Sequence, residues 1–428
     1  MKLLKEILSH EVFPAFGCTE PISVAYAASV AARELGEPVR KIKFVVDPGV
    51  YKNGKSVLIP KTGGARGNLI AGVMGAAIAQ PELKMEILKV ATPEHVERAE
   101  KFIEEGNAEI DFDGAKTDLY IDVAAWGDSH SVRVILESSH TNVAYLKVDD
   151  EVRIHEDNTK GNVSEPAYRP ELRKLTLKDL VALTDEADEE DLAYIQTGID
   201  MNLAMAEEGF KLKKTGYLIA EMLKEARDQN EITATSKVLT ASASDGRMAG
   251  IPLPVMSSGG AGNQGVVAIL VAYNVGQAWK IDRERILRSI VLSHLVNAYV
   301  KCYTGDLSVI CGCAIAAGMG AAVALVYQKC GDDMEKIGLA VNSVACDLGG
   351  IFCDGAKEGC AMKVISSTDA AIRAAYMAIN DLGVMSQEGI AGLSPEDTIR
   401  NLSRITEQGM ARVNEIILEI MRDKDKGE

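Results

Sequence analysis

The hydrophobic pattern of the chain changes between its opening and the segments that follow. The segments "LLKEILS" and "CTEPISVAYAASVAARELG" have apolar residues at helical spacing, with Thr19 in a capping position, Pro21 in the first turn and Gly36 at the end. From about Val39, segments such as "VRKIKFVVD", "DLYIDVAAW" and "SVRVILES" alternate or are rich in β-branched residues. Helical patterns, "GNLIAGVMGAAIA" and "PEHVERAEKFIEE", lie between them. The pattern predicts N-terminal helices in residues 1–37 and an α+β module in residues 38–165.

The second part of the chain is helical in pattern. The polar stretch "HEDNTKGNVSEPAYRPE" is interpreted as a linker, and nearly every later segment has helical spacing, which predicts an α-helical domain in residues 166–428. Two uncharged runs in this domain, "MAGIPLPVMSSGGAGNQGVVAILVAYNVGQAW" and "LSVICGCAIAAGMGAAVALVYQ", are long enough to cross a bilayer. Prolines and polar residues interrupt the first, and small residues dominate the second. We interpret both as buried helices and expect no membrane interaction. The fold class is therefore mixed.

The net negative charge of the chain argues against a nucleic-acid partner. The 428 residues carry a formal net charge of -16, without the clustered Lys and Arg that a nucleic-acid partner requires. Lys5 and Glu6 interrupt the first apolar residues, so no export segment is evident and we expect a cytoplasmic protein. We also expect a homo-oligomer that acts on a small molecule.

The spacing of the cysteines indicates a metal site or chemistry. Cys346, Cys353 and Cys360 stand seven residues apart in "CDLGGIFCDGAKEGC", which on a helix would place them on one face. The four glycines of this segment disfavour an uninterrupted helix and predict a loop that wraps around something. Eight cysteines are too sparse for a disulfide scaffold in 428 residues, and most of them cluster in the C-terminal half.

Glycine-rich segments offer candidate anion sites. "GGAGNQG" matches GxGxxG, but a Pro-broken segment precedes it, so a dinucleotide site is disfavoured. Ser257, Ser258, Gly259 and Gly260 stand before an apolar helix, where free backbone N–H groups can bind a carboxylate. An ordinary capped helix start explains the same residues.

Two further loops carry polar candidates. Arg66 in "KTGGARGN" can recognise a carboxylate, although an exposed loop arginine is the alternative. His140 and Asn142 in "SSHTN" lie between two predicted strands, where His140 is either an acid–base group or an ordinary hairpin-turn residue.

Cys18 in "FPAFGCTEP" directly precedes a predicted helix. The positive end of a helix dipole lowers the pKa of a thiol placed there, so we expect a reactive thiolate, with a buried inert cysteine as the alternative. Downstream, "VKCYTGDLSVICGCAIAAG" contains Cys302, Cys311 and Cys313 without the paired knuckles or histidines of a zinc site. Iron–sulfur clusters need only thiolates, and three ligands leave one iron open as a Lewis acid.

Taken together, "FGCTEP", "PVMSSGGAGNQG", "YTGDLSVICGCAIAAG" and "CDLGGIFCDGAKEGC" resemble the L-cysteine desulfidase family, which is related to the α region of iron–sulfur L-serine dehydratases. The resemblance implies an oxygen-sensitive 4Fe-4S enzyme that converts L-cysteine and water to pyruvate, ammonia and hydrogen sulfide without pyridoxal phosphate. It implies Cys313, Cys353 and Cys360 as cluster ligands and Cys18 as the catalytic cysteine. Cys346 is the alternative to Cys353. The tail contains no cysteine, so Cys18 or an external molecule would occupy the open iron at rest.

The resemblance also implies the arrangement of the domains and the substrate site. The helical region would bind the cluster, the opening helices would pack onto it, and the α+β module would be an insertion. The expected substrate-contacting residues are Arg66, His140, Asn142, Ser257, Ser258, Gly259, Gly260 and Asn263. The alternatives are an L-serine dehydratase with the same architecture and a non-catalytic iron–sulfur binding protein.

Overall fold

Two hydrophobic cores organise the chain. The computed structural model describes residues 2–116, 119–156, 166–225 and 231–426, so residues 157–165 of the expected linker lie outside the described part. One core belongs to an α+β module and the other to a helical body. The fold class is therefore mixed, as the hydrophobic pattern predicted.

The helices account for most of the secondary structure. They are α1 (Leu3–Glu11), α2 (Thr19–Leu35), α3 (Pro48–Gly54), α4 (Asn68–Ile78), α5 (Pro93–Glu104), α6 (Tyr168–Lys174), α7 (Leu177–Thr184), α8 (Glu189–Lys211), α9 (Thr215–Glu225), α10 (Ile232–Met248), α11 (Gly262–Ala278), α12 (Arg283–Thr304), α13 (Ala316–Cys330), α14 (Met334–Leu348), α15 (Cys360–Ile379), α16 (Pro395–Arg404) and α17 (Val413–Lys426). A 3-10 segment covers Pro81–Val90, and a π-helical turn covers Ile405–Gly409.

A six-stranded sheet forms the base of the α+β module. Its strands are β2 (Lys41–Val46), β3 (Ala108–Phe112), β4 (Tyr120–Trp126), β5 (Ser131–Glu137), β6 (Val143–Val148) and β7 (Glu151–His155), in the order β3-β2-β4-β5-β6-β7. Only β2 and β3 pair in parallel, and helices α3 to α5 provide the crossover that a parallel pair requires. In β5, Val132, Val134 and Leu136 are buried while the residues between them are less so, which fixes the face that packs on the helices.

The helical body is built around α11 and α13, which contain the apolar parts of the two uncharged runs of the sequence. Both are buried along almost their whole length, and their glycines allow close packing. A Cβ at Gly320 would lie 2.4 Å from the carbonyl oxygen of Ser293 on α12. Within the described ranges, no helix combines the length and the apolarity that a membrane crossing needs.

The N-terminal segment crosses between the two cores. Helix α1 packs on the helical body, and the short strand β1 (Pro14–Ala15) pairs with β8 (Val255–Met256). We expected the opening helices to pack on the helical domain, but α2 belongs to the core of the α+β module. Small residues on both helices explain this placement. Helix α4 packs so closely on α2 that a Cβ at Gly75 of α4 would lie 2.0 Å from the carbonyl oxygen of Ala25 on α2. Cys18 therefore lies where the chain passes from one core to the other.

Candidate functional site

Cys18 occupies the N-cap position of α2 and is buried. Its Sγ donates a hydrogen bond to Glu20 Oε2 at 3.0 Å. Burial and the Glu20 carboxylate raise the pKa of the Cys18 thiol, and the positive charge of Arg247 opposes them only in part. The expectation of a lowered pKa was wrong, because removal from water and a carboxylate neighbour outweigh the helix dipole.

Glu20 is the acceptor at the centre of this group. Asn53 Nδ2 donates to Glu20 Oε1 at 2.9 Å, and Thr19 Oγ1 donates to Oε2 at 3.1 Å. Burial alone opposes the charge of Glu20, but His140 and the hydrogen bonds from Cys18 and Asn53 outweigh it, so its pKa is lowered. These two pKa directions keep the proton on the sulfur at rest, and the Glu20 carboxylate is the adjacent group to which it can pass during the reaction. The sequence alone does not single out Glu20, because a glutamate in the first turn of a helix is common.

His140 reaches the same region from the turn between β5 and β6. A Cβ at Gly260 would lie 3.8 Å from His140 Cε1, so two candidates of the sequence analysis are neighbours. Burial lowers the pKa of His140, although Glu20 and Asp306 raise it. Its enclosed Nε2 has no hydrogen-bond partner in the part of the chain that the structure describes.

Residues 257–260 support the site through their backbone. The N–H groups of Ser257, Ser258 and Gly260 donate to the carbonyls of Phe13, Ala261 and Glu11 at 2.9, 3.2 and 3.1 Å. The sequence predicts free N–H groups here for a carboxylate, but these three are occupied by backbone carbonyls. The hydroxyl of Ser258 contacts His294 Nδ1 and Asn297 Nδ2, each at 2.8 Å.

The side chain of Lys301 reaches Gly259. Its Nζ donates to the carbonyl oxygen of Gly259 and pairs with Asp306 at 3.0 Å. Residues 257–260 therefore contact both α12, through Lys301, and α1, through the carbonyl of Glu11.

The N–H groups that have no acceptor among the described residues lie just after this segment, at the start of α11. The first N–H groups of a helix have no intrahelical acceptor, and the N-cap residue Ala261 provides no side-chain cap. Asn263 and Gln264 on this turn are both buried, and neither Asn263 Oδ1 nor Gln264 Oε1 finds a partner among the described residues. A Cβ at Gly312, between Cys311 and Cys313, would lie 2.6 Å from Gln264 Nε2. The start of α11 thus contacts the cysteine-containing turn.

Two loops bring four cysteines together. Ile310 and Phe352 form an isolated antiparallel bridge, and Cys353 N donates to the carbonyl of Val309 at 2.7 Å. This pairing places the turn of Cys311 and Cys313 beside the loop that carries Cys353 and leads to Cys360. The wrapping loop predicted from the glycines is formed by residues 349–359, between α14 and α15.

The thiols of this group interact with one another. A hydrogen bond with Cys313 lowers the pKa of Cys311 to about 6 and raises that of Cys313. Burial raises the pKa of Cys360 to about 11. Burial also raises the pKa of Cys353, which the charge of Lys52 opposes. We call Cys311, Cys313, Cys353 and Cys360 the cysteine group.

The cysteine group fits an iron–sulfur cluster by its chemistry. Its members are unpaired thiols, and Lys363 and Lys52 supply positive charge near them. Within the described ranges, no group of three or more His, Cys, Asp or Glu side chains is arranged to hold a metal ion. A four-iron cluster differs from a single ion because each thiolate binds a separate iron.

Other sequence candidates lie outside this group. Cys346 is exposed on α14, so the structure brings Cys353 and not Cys346 to the other cysteines. Arg66 is exposed at the surface, where it pairs with Glu358 at 3.4 Å and donates to the carbonyl of Ser56. Asn142 donates to Glu156 Oε2 at 3.0 Å.

A continuous chain of contacts joins Cys18 to the cysteine group. Asn53 donates to Glu20, which accepts from Cys18, and the Sγ of Cys353 lies 3.8 Å from Asn53 Oδ1. Lys52, the neighbour of Asn53, donates to the carbonyl of Cys353 at 2.8 Å. An apolar cavity between α8, α9 and α10 lies elsewhere and contains none of these residues. The chemistry is concentrated where the two cores meet.

Comparison with known proteins agrees with the motifs. A family model described as the serine dehydratase alpha chain matches residues 82–419. A UPF0597 protein of Geobacter sulfurreducens is 54% identical over 99% of both chains, and one of Elusimicrobium minutum is 50% identical over 100% of both. A UPF0597 protein of Clostridium tetani is 39% identical over 99% of this chain and 98% of its own. No solved structure matches the chain. The resemblance to the α region of serine dehydratases is confirmed.

Proposed function

The chain belongs to the serine dehydratase alpha chain family, and from this we propose that it is a lyase that eliminates the β-substituent of a small L-amino acid. We propose L-cysteine as the substrate and pyruvate, ammonia and hydrogen sulfide as the products. The observation that carries the proposal is the contact chain from Cys18 through Glu20 and Asn53 to Cys353. It connects a proton-accepting pair to a set of thiols suited to an iron–sulfur cluster.

Cys313, Cys353 and Cys360 would hold the cluster. When bound, a 4Fe-4S cluster with one open iron supplies a Lewis acid that stabilises the departing thiolate. Lys52 donates to the backbone of Cys353 and keeps one of these residues in place. No pyridoxal phosphate is required for this elimination.

The chain's own residues move the proton. Cys18 transfers its proton to Glu20 Oε2, and the thiolate that results takes the α-proton of the substrate. Loss of the β-substituent then gives aminoacrylate, whose imine tautomer reacts with water to give pyruvate and ammonia. His140 lies near this pair and can hold a polar group of the substrate through Nε2.

Serine dehydration is the second candidate, because the matching family model is described as a serine dehydratase. The two reactions differ only in the leaving group. A soft thiolate suits iron better than hydroxide, which favours L-cysteine.

One assay separates these functions. Anaerobically reconstituted protein is incubated with L-cysteine and, separately, with L-serine, and pyruvate and sulfide are measured. We expect pyruvate and sulfide in equal amounts from L-cysteine at a higher kcat/KM than pyruvate from L-serine. A higher value for L-serine would assign the dehydratase, and no pyruvate from either substrate would support a non-catalytic iron–sulfur protein.

A further inference from the structure

Arg247 is a buried cation. Its side chain lies at the end of α10 with 4% of the residue exposed, and Nη2 donates to the carbonyl oxygen of Gly17 at 3.0 Å. Its Nε has no hydrogen-bond partner, and no carboxylate within the described ranges forms an ion pair with it. Arg169, which is also largely enclosed, pairs with Asp306 at 2.7 Å and Glu11 at 3.3 Å.

A buried guanidinium with no anion is unfavourable unless a ligand supplies the negative charge. The orientation of Arg247 indicates where such a ligand would bind. A Cβ at Gly262, the first residue of α11, would lie 2.2 Å from Arg247 Nε. The unpartnered Nε therefore lies against the helix start whose N–H groups are free, and both favour an anion.

Two unpartnered acceptors accompany these donors. Asn263 Oδ1 and Gln264 Oε1, on the same turn of α11, are enclosed without a donor in the part of the chain that the structure describes. A carboxylate would satisfy Arg247 but not these oxygens, whereas an ammonium group would satisfy them. Donors and acceptors side by side match a molecule that carries both charges, as an α-amino acid does.

We propose that Arg247 binds the carboxylate of the α-amino acid substrate, and that Asn263 and Gln264 accept hydrogen bonds from its ammonium group. This assignment rests on the proposed function and adds the means of substrate recognition. The assignment also places the substrate between Cys18 and the cysteine group. Arg247 holds Gly17, the residue before Cys18, and Gln264 contacts Gly312 in the cysteine group's first turn. A head group anchored between them has Cys18 on one side and the cysteine group on the other.

The test measures binding as well as turnover. Full-length protein, purified anaerobically, is titrated by calorimetry with L-alanine, which has both head groups and no leaving group, and with L-alaninamide, which lacks the carboxylate. We expect wild type to prefer L-alanine by about 10- to 100-fold, the usual effect of hydrogen bonds to charged groups. Arg247→Gln should remove this preference and raise KM for the amino-acid substrate by a similar factor, while Arg247→Lys should retain part of it.

Arg285→Gln is the matched control, because Arg285 also has an unpartnered Nε but lies over the ring of Tyr327, away from the site. It should keep the preference for L-alanine. Circular dichroism checks that each variant is folded. A folded Arg247→Gln protein that still prefers L-alanine overturns the assignment. If that variant does not fold, an equal affinity of wild type for the two probes, or an unchanged preference in Arg247→Lys, overturns it instead.

The outcomes distinguish the recognition site from the reaction. A preference for L-alanine that depends on Arg247, with no pyruvate from L-cysteine or L-serine, would refute the proposed function and leave the site standing. Pyruvate formation by the wild type, with an unchanged KM in Arg247→Gln, would support the proposed function and refute the recognition site.

Discussion

The thiol of Cys18 donates a hydrogen bond to the carboxylate of Glu20 at 3.0 Å, and both side chains are buried. This pair changes the interpretation of Cys18. A thiol before a helix is expected to be a thiolate, but this one is held protonated beside its own proton acceptor. Proton removal from the substrate therefore depends on both residues.

Removal of the Cys18 thiol should abolish turnover and leave the cluster in place. We expect Cys18→Ala to retain most of its iron and to lose turnover by about 100-fold or more, the scale of general-base catalysis. Exchange of the substrate α-proton with solvent, followed by NMR, should be lost with it. Cys330→Ser is the control and should behave as wild type. Loss of iron from Cys18→Ala would instead make Cys18 a fourth ligand, and normal turnover would move the search for the base to His140.

Asn53 should set the pH below which Glu20 is protonated and can no longer accept the proton of Cys18. Its hydrogen bond favours the charged form of Glu20 and lowers the pKa of that carboxyl. Without the bond the pKa rises, so Glu20 becomes protonated at a higher pH. The acid limb of the kcat/KM profile should therefore move to higher pH in Asn53→Ala.

The control for Asn53 is Asn107→Ala, which removes a half-buried asparagine whose side chain donates to Glu105. Its pH profile should match that of wild type. An acid limb in Asn53→Ala that stays in place or moves to lower pH contradicts the role assigned to Glu20.

Iron content should identify the ligands. We expect Cys313→Ser, Cys353→Ser and Cys360→Ser each to lose the cluster, and Cys302→Ser, Cys311→Ser and Cys330→Ser to retain it, as measured by iron and acid-labile sulfide. Cys346→Ser should also retain it, because Cys346 is exposed on α14. Loss of iron from Cys311→Ser with retention in Cys313→Ser would transfer the ligand role to Cys311, which lies in the same group.

Air should inactivate the protein. A cluster with one iron open to solvent or substrate is vulnerable to oxidation. We expect anaerobic protein to be brown, and its visible absorbance and pyruvate formation to decline together in air. A colourless preparation that still forms pyruvate in air would rule out the cluster as the cofactor.

Local pattern alone predicted many elements of the fold. The alternation in "SVRVILES" predicted β5, and the glycines around Cys353 predicted the loop of residues 349–359. These features depend on the periodicity of a few neighbouring residues and on the backbone freedom of glycine, both of which can be read along the chain. The cysteines and glycine motifs likewise indicated the family without any structure.

Tertiary structure decided the partners of those residues. Glu20, Asn53 and Arg247 come from three separate helices, α2, α3 and α10, and each resembles an ordinary polar residue when taken alone. The side of the molecule on which α2 packs, and the raised pKa of Cys18, depend on which surfaces exclude water together. Burial and pairing between distant segments are properties of the packed chain, because the free energy of a charge is set by all of the groups around it and not by its neighbours in sequence.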